Sequence, residues 1–169
     1  MNNELTQGDI DKMQAEIDYL ESTVHPKKVQ DIQEARALGD LSENYEYKTA
    51  KRELGLCNSR IRYLKRMIAT AHIVRTGADS DGIGIYDKIK ILCEDEDEPE
   101  WIEIATTVRQ DVLSEVPRIG NTSPMGKALM GHKKGDHVTV KADSGYTYDV
   151  EILEIEKCTG DSDAPINSY

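Results

Sequence analysis

Two carboxylates in a short polar segment are the residues of this sequence best suited to chemistry. Asp40 and Glu43 lie three residues apart within the hexapeptide Gly39–Asn44, between two segments with helical periodicity. Mg²⁺ favours hard oxygen ligands and commonly takes one or two carboxylates together with waters and phosphates. On an exposed turn this pair would bind Mg²⁺ weakly, so we expect it to act when another macromolecule supplies the remaining ligands.

The same spacing also permits a purely structural role. Asp40 could accept hydrogen bonds from the free amides at the start of the second helix, while Glu43 reaches back to form a capping box. Considered alone, the spacing favours this alternative, which therefore stays open here.

A basic segment follows the acidic pair. Residues 48–66 contain seven basic side chains and one acidic side chain, Glu53. Acidic residues of the preceding helix could neutralise part of this charge through inter-helix ion pairs, which would leave an ordinary solvated helix face. The basic residues nearest the carboxylates could instead steer the end of a single-stranded nucleic acid toward them. These residues are Arg36, Lys48, Lys51 and Arg52.

Apolar periodicity predicts that an antiparallel helical hairpin positions these groups. Within residues 47–71 the apolar positions alternate at spacings of three and four, the pattern of a coiled-coil seam. The same spacing runs through residues 10–35, with Thr6 as the expected N-cap and an interruption near Pro26, where a kink is expected. Two arms of about 30 residues, each roughly 45 Å long, must lie antiparallel if a few residues join them. Residues 39–44 are then the tip of the hairpin.

The rest of the chain predicts a small β-rich domain. Strands are indicated by alternating apolar residues at 85–93, 101–108, 137–142 and 146–155. In the last strand the apolar face changes between Ile152 and Leu153, as a β-bulge would require. Ser123 followed by Pro124 is typical of the start of a short helix, which would end at Gly131. No Gly-rich phosphate loop or nucleophile elbow occurs in the sequence, so a separate catalytic site is not predicted.

Composition and charge limit the possible functions of this 169-residue chain. Its net charge is −11, and residues 76–169 carry 20 acidic and 9 basic side chains, whereas residues 1–75 carry 12 of each. General DNA binding is disfavoured, because phosphate neutralisation normally requires a basic domain. The sequence contains neither an apolar run of membrane-spanning length nor a signal peptide, and its three cysteines lie far apart, so we expect a cytoplasmic protein with reduced thiols.

We predict an α+β fold with three parts. They are an N-terminal coiled-coil hairpin at 1–76, an antiparallel β domain with one short helix at 77–158, and a flexible tail at 159–169.

The segment from Glu34 to Lys51, EARALGDLSENYEYKTAK, resembles the bacterial Gre-type transcript cleavage and elongation factors, with GreA closer than GreB. The central GDLSEN looks like the tip signature of that family. Further similar segments follow in order along the chain, at Leu5-Thr6, Pro26, Arg60-Ile61, Ser123–Gly131 and Gly135-Asp136. The resemblance implies two domains, of which the second is FKBP-like.

The resemblance also implies a mechanism. The hairpin would enter the secondary channel of RNA polymerase when the enzyme has backtracked. Asp40 and Glu43 would act there in trans as catalytic and metal-binding residues, helping to hold Mg²⁺ shared with the polymerase and to position water, so that the polymerase hydrolyses the nascent RNA 3′ end. The protein, expected to be a monomer, would have no turnover and no cofactor of its own. Ser123 and Pro124 would dock the second domain on the polymerase.

Two alternatives remain open. A Gre-like relative could occupy the channel and inhibit polymerase without stimulating cleavage, although a plug would not need the ligand pair Asp40 and Glu43. The hairpin could also be a scaffold that binds partner helices. Prolyl isomerase activity is disfavoured, because an aromatic-lined pocket is hard to build with no Phe and one Trp.

Overall fold

A computed structural model describes residues 3–39, 44–77 and 80–168. The chain divides into two compact units, a helical unit of Ile10–Ala71 and a β unit of Met1–Asp9 together with His72–Tyr169. The first residues therefore belong with the second unit, which differs from the boundary expected at residue 76. The physical reason is backbone pairing, because strand β1 (Asn3–Leu5) forms a two-stranded sheet with β2 (Ala71–Ile73).

The helices follow the predicted periodicity. They are α1 (Gln7–Tyr19), α2 (His25–Ala37) and α3 (Tyr45–Ala69). The buried residues of α3 are Ala50, Cys57, Ile61 and Leu64, which fall on the seam predicted from the sequence. Among the described residues, no helix combines the length and the apolar character needed to cross a membrane.

The predicted interruption near Pro26 is present as a π-helical turn. Residues Leu20–Val24 form this turn between α1 and α2, and the His25 backbone N–H donates to the Leu20 carbonyl five residues back. Pro26 has no N–H to continue the α-helical hydrogen bonding, so a local change of helix type is expected beside it.

Side-chain contacts between helices confirm the antiparallel arrangement within the helical unit. Residues late in the first arm contact the start of the second arm, and residues early in the first arm contact positions farther along α3. The contacts that show this join Ala35 to Asn44, Lys28 to Glu53 and Glu16 to Arg60. The last is a two-point contact, with Arg60 Nε 2.7 Å from Glu16 Oε1 and Arg60 Nη2 3.0 Å from Glu16 Oε2.

The β unit contains a five-stranded mixed sheet. Its strands are β3 (Lys88–Cys93), β4 (Glu100–Ala105), β5 (Arg118–Gly120), β6 (His137–Lys141) and β7 (Thr147–Glu156). Their spatial order is β5-β4-β3-β7-β6. All pairs are antiparallel except β4–β5, which is parallel. The prediction of a fully antiparallel sheet is wrong for the pair β4–β5. Residues 106–117 return the chain toward the end of the sheet at which β4 begins, so β5 runs in the same direction as β4.

Two local features of the sheet bear on the predicted strands. The first strand begins at Lys88 rather than at residue 85, since Tyr86 has φ +69° and interrupts the extended backbone. The β-bulge is confirmed, because Lys90 pairs with Glu154 while Ile91 pairs with Ile152, which leaves one extra residue in β7.

One short helix packs on this sheet. Helix α4 (Pro124–Leu129) is close to the helix predicted between Ser123 and Gly131. Leu129 is fully buried in the main apolar core with Ile89 and Ile152, so α4 covers one face of the sheet.

The C-terminal residues are attached to the β unit, which differs from the predicted flexible tail at 159–169. The Asn167 backbone N–H donates to the Val108 carbonyl at 2.8 Å, and the Asn167 side chain donates to the Gln110 carbonyl at 2.7 Å. Arg109, which is fully buried, donates to the Ser162 carbonyl and to the Ala164 carbonyl at 3.2 Å. A buried guanidinium requires acceptors for its donors, and this segment provides them.

Candidate functional site at the hairpin tip

The predicted catalytic and metal-binding pair, Asp40 and Glu43, lies outside the described residues. The structure describes the two helix ends on either side of residues 40–43. Helix α2 ends at Ala37 and α3 begins at Tyr45, so both carboxylates belong to the connection between two antiparallel helices. The prediction that the hairpin turns within residues 39–44 agrees with these bounds.

Gly39 ends the first arm as predicted. The backbone N–H of Leu38 donates to the Ala35 carbonyl at 3.2 Å and closes the last turn of α2. Gly39 follows with φ +127°, a conformation that residues with a Cβ rarely adopt. The glycine therefore allows the chain to leave the helix at this point.

Asn44 is the N-cap of the second arm. Its side-chain oxygen accepts from the Tyr47 backbone N–H at 3.0 Å, and its side-chain nitrogen donates to the Ala35 carbonyl at 2.7 Å. A single side chain thus caps α3 and ties it to the end of α2. The N-cap position of α3 is filled by Asn44, whereas the capping role considered for Asp40 lies outside the described residues.

Aromatic and cationic side chains meet just behind the tip. The Arg36 guanidinium lies 5.6 Å from the centroid of the Tyr47 ring, and the Lys48 ammonium lies 5.7 Å from that of Tyr45. Both separations suit cation–π attraction. The hydrogen bond and positive charge of Arg36, with a smaller contribution from Lys51, lower the pKa of the Tyr47 hydroxyl. Arg36 from α2 and Lys48 from α3 are thus brought to the same end of the hairpin.

The basic residues of the hairpin fall into two groups. Lys28, Arg60 and Lys65 form inter-helix ion pairs with Glu53, Glu16 and Glu21. This confirms that part of the basic charge is neutralised across the hairpin. The four residues predicted to contact RNA are exposed, and no ion pair joins any of them to another described residue. Exposed basic side chains without an ion pair to a described residue therefore lie near the tip, although Arg62 and Arg66 farther along α3 also form no such pair.

The predicted docking residues lie in the β unit. Ser123 caps α4, with its hydroxyl accepting from the Gly126 backbone N–H at 3.1 Å, and Pro124 begins the helix. A surface cavity of about 410 Å³ beside Ser123 includes two exposed apolar side chains, Val112 at 64% and Leu113 at 93% exposure. Val112 and Leu113 follow no helical or strand periodicity, so no pattern in the sequence points to them.

Family models match both parts of the chain. The model described as "Transcription elongation factor, N-terminal" matches residues 3–73, and "Transcription elongation factor, GreA/GreB, C-term" matches residues 78–157. The chain belongs to the GreA/GreB family of transcription elongation factors. The resemblance inferred from the tip motif is therefore confirmed.

Two relatives that align with this chain over most of their length support this assignment. "Transcription elongation factor GreA" of Oenococcus oeni is 36% identical over 90% of this chain and 94% of the relative. The GreA of Leuconostoc citreum is 41% identical over 87% of this chain and 91% of the relative.

Among solved structures, GreA factor homolog 1 of Thermus thermophilus is 21% identical, with 92% of this chain and 99% of that chain covered and a TM-score of 0.43.

Proposed function

We propose that this elongation factor binds bacterial RNA polymerase through its secondary channel and stimulates cleavage of the nascent RNA 3′ end in backtracked complexes, so that elongation resumes. The observation that best supports the cleavage role is the tip motif GDLSEN in a chain of the GreA/GreB family. Gly39 ends α2 and Asn44 caps α3, so Asp40 and Glu43 lie in the sequence between two helix ends that other residues close. Carboxylates in such a connection are suited to bind a cation whose remaining ligands come from another macromolecule.

Asp40 and Glu43 are the residues we assign to Mg²⁺ shared with the polymerase. Their carboxylates are hard oxygen donors of the kind that Mg²⁺ prefers, and the polymerase and RNA phosphates would complete the ligand set. Mg²⁺ held in such a shared site would supply activation of water and stabilisation of the leaving oxygen. Because the remaining ligands come from the polymerase, this protein has no hydrolytic turnover alone and is not itself an enzyme.

The exposed basic residues near the tip would guide the RNA. No ion pair to a described carboxylate neutralises Arg36, Lys48, Lys51 or Arg52, so their charges are available to phosphates. Tyr45 is 82% exposed and offers a face on which a base can stack. Together they would attract the extruded 3′ end toward the carboxylates.

The β unit would dock on the polymerase around Ser123 and Pro124. The exposed Val112 and Leu113 border the same surface and extend it with apolar area. An exposed apolar pair rimmed by polar residues is typical of an interaction surface.

A stalled transcription complex with 3′-labelled RNA tests the cleavage role. The parent protein with Mg²⁺ should release short 3′ fragments, and Asp40→Asn should abolish release while polymerase binding is retained. Asp31→Asn is the matched control, because it removes a half-buried carboxylate of α2 and should cleave like the parent. Normal cleavage by Asp40→Asn would refute the assignment. Binding without cleavage by the parent would instead identify a channel inhibitor.

The RNA-guiding role has a separate test. The double variant Lys51→Glu with Arg52→Glu should weaken cleavage of long backtracked RNA and reduce the dependence of cleavage on salt, since two phosphate-facing charges are reversed. Arg62→Glu is the control, because Arg62 is exposed on the same helix farther from the tip. Unchanged cleavage and salt dependence in the double variant would count against this role.

A further inference from the structure

The connection between β3 and β4 brings together three potential metal ligands. Cys93 is the last residue of β3, Glu100 is the first residue of β4, and Glu96 lies in the turn between them. The Glu96 backbone N–H donates to the Cys93 carbonyl at 3.0 Å, which folds the turn back over the end of the strand. The Cys93 sulfur and one carboxylate oxygen from each glutamate all lie within 4.8 Å of one another.

The Cys93 thiol is the buried member of this cluster. The residue is 9% exposed and belongs to the main apolar core, which holds the sulfur in place. Among the described residues no hydrogen bond engages its thiol. The two glutamates are exposed, so their side chains can adjust around a fixed sulfur.

Charge around the cluster favours a cation. Residues 94–100 carry six acidic side chains and no basic one. Glu96 and Glu100 each place a carboxylate oxygen within 4.8 Å of the Cys93 sulfur. Acidic groups crowded in this way repel one another, and a bound cation would offset that repulsion.

We propose that Cys93, Glu96 and Glu100 form a zinc-binding site in the β unit. A thiolate selects zinc over the hard cations Mg²⁺ and Ca²⁺, and zinc accepts carboxylate oxygen in the same coordination shell. With Zn–S near 2.3 Å and Zn–O near 2.1 Å, tetrahedral ligand atoms lie roughly 3.5 Å apart. The glutamate side chains need to approach by only about 1 Å, and the fourth position is left for water.

Cobalt titration of the metal-free full-length protein tests this site. Co²⁺ should bind one per chain with a thiolate-to-metal charge-transfer band, and Zn²⁺ should displace it while Mg²⁺ in excess should not. Cys93→Ala should abolish the band, whereas Cys158→Ala should retain it, because Cys158 lies outside the cluster and its thiol donates to the Gly160 carbonyl at 3.1 Å. Persistence of the band in Cys93→Ala would overturn the proposal.

The glutamates provide a second test with little risk to folding, since both are exposed. Glu96→Gln and Glu100→Gln should each weaken zinc affinity at least tenfold, by analogy with the roughly 10–100-fold losses seen when groups supporting a metal are changed. Asp97→Gln, an exposed neighbour outside the three-ligand cluster, should bind like the parent. Parent-like affinity in both glutamate variants would refute the site.

Discussion

Removing the charge of Asp9 should strongly destabilise the β unit. Asp9 is fully buried, and its carboxylate accepts from Arg109 Nε at 2.5 Å, the Tyr86 hydroxyl at 2.5 Å and the Thr6 backbone N–H at 3.0 Å. Arg109 is also fully buried and lies 5.1 Å from the Tyr86 ring centroid. Asp9→Asn keeps the shape of the side chain but leaves the guanidinium without its buried counter-charge.

The expected loss follows from the remaining contacts of Arg109. Breaking a buried ion pair by removing one partner costs about 3–5 kcal/mol. Arg109 keeps a second carboxylate, with Nη2 lying 3.1 Å from both oxygens of Asp161, whose side chain is 37% exposed. We therefore expect Asp9→Asn to lower the unfolding free energy by about 3 kcal/mol, the lower end of this range. For a unit of this size the loss corresponds to a fall in Tm of at least about 12 °C.

The fluorescence of Trp101 measures this loss in the full-length protein. Trp101 is the single tryptophan of the chain and lies in β4, so its signal reports on the β unit. Asp81→Asn is the matched control, because Asp81 and Lys133 form an exposed ion pair at 3.8 Å in the same unit. Loss of that pair should cost no more than about 1 kcal/mol. Equal destabilisation by Asp9→Asn and Asp81→Asn would refute the reasoning.

Two further predictions concern packing and pH in the β unit. A Cβ on Gly126 would lie 2.2 Å from the Gly120 carbonyl oxygen, so Gly126→Ala should lower the unfolding free energy by about 1–3 kcal/mol in denaturant titrations. Gly160→Ala, with no atom within 4 Å of the added carbon, should change it by less than about 0.5 kcal/mol, and equal effects would contradict the prediction. Burial raises the pKa of the Glu103 carboxyl, so the folded state favours its protonated form and loses stability as pH rises above the ordinary glutamate value. Glu103→Gln should therefore be more stable relative to the parent at pH 7 than at pH 3, and a difference independent of pH would refute this.

Several features were predictable because their causes are local. The three-and-four spacing of apolar residues identified the buried face of α3, and Gly39 marked the end of α2. The change of face at Ile152–Leu153 located the bulge in β7. The Asn44 cap was missed although its signal was present, because Asn directly before a helix is a common N-cap and Asp40 was favoured instead.

The amino-acid sequence by itself determined the two-part α+β organisation, the helical hairpin and the family, since periodicity and a contiguous motif act over a few residues. Only the tertiary structure decided that residues 1–9 join the β unit and that Asp9 pairs with Arg109, 100 positions away. It also decided that the C-terminal segment supplies acceptors to a buried guanidinium. Such contacts depend on the path of the whole chain, and no spacing in one sequence encodes which distant groups that path brings within hydrogen-bond distance.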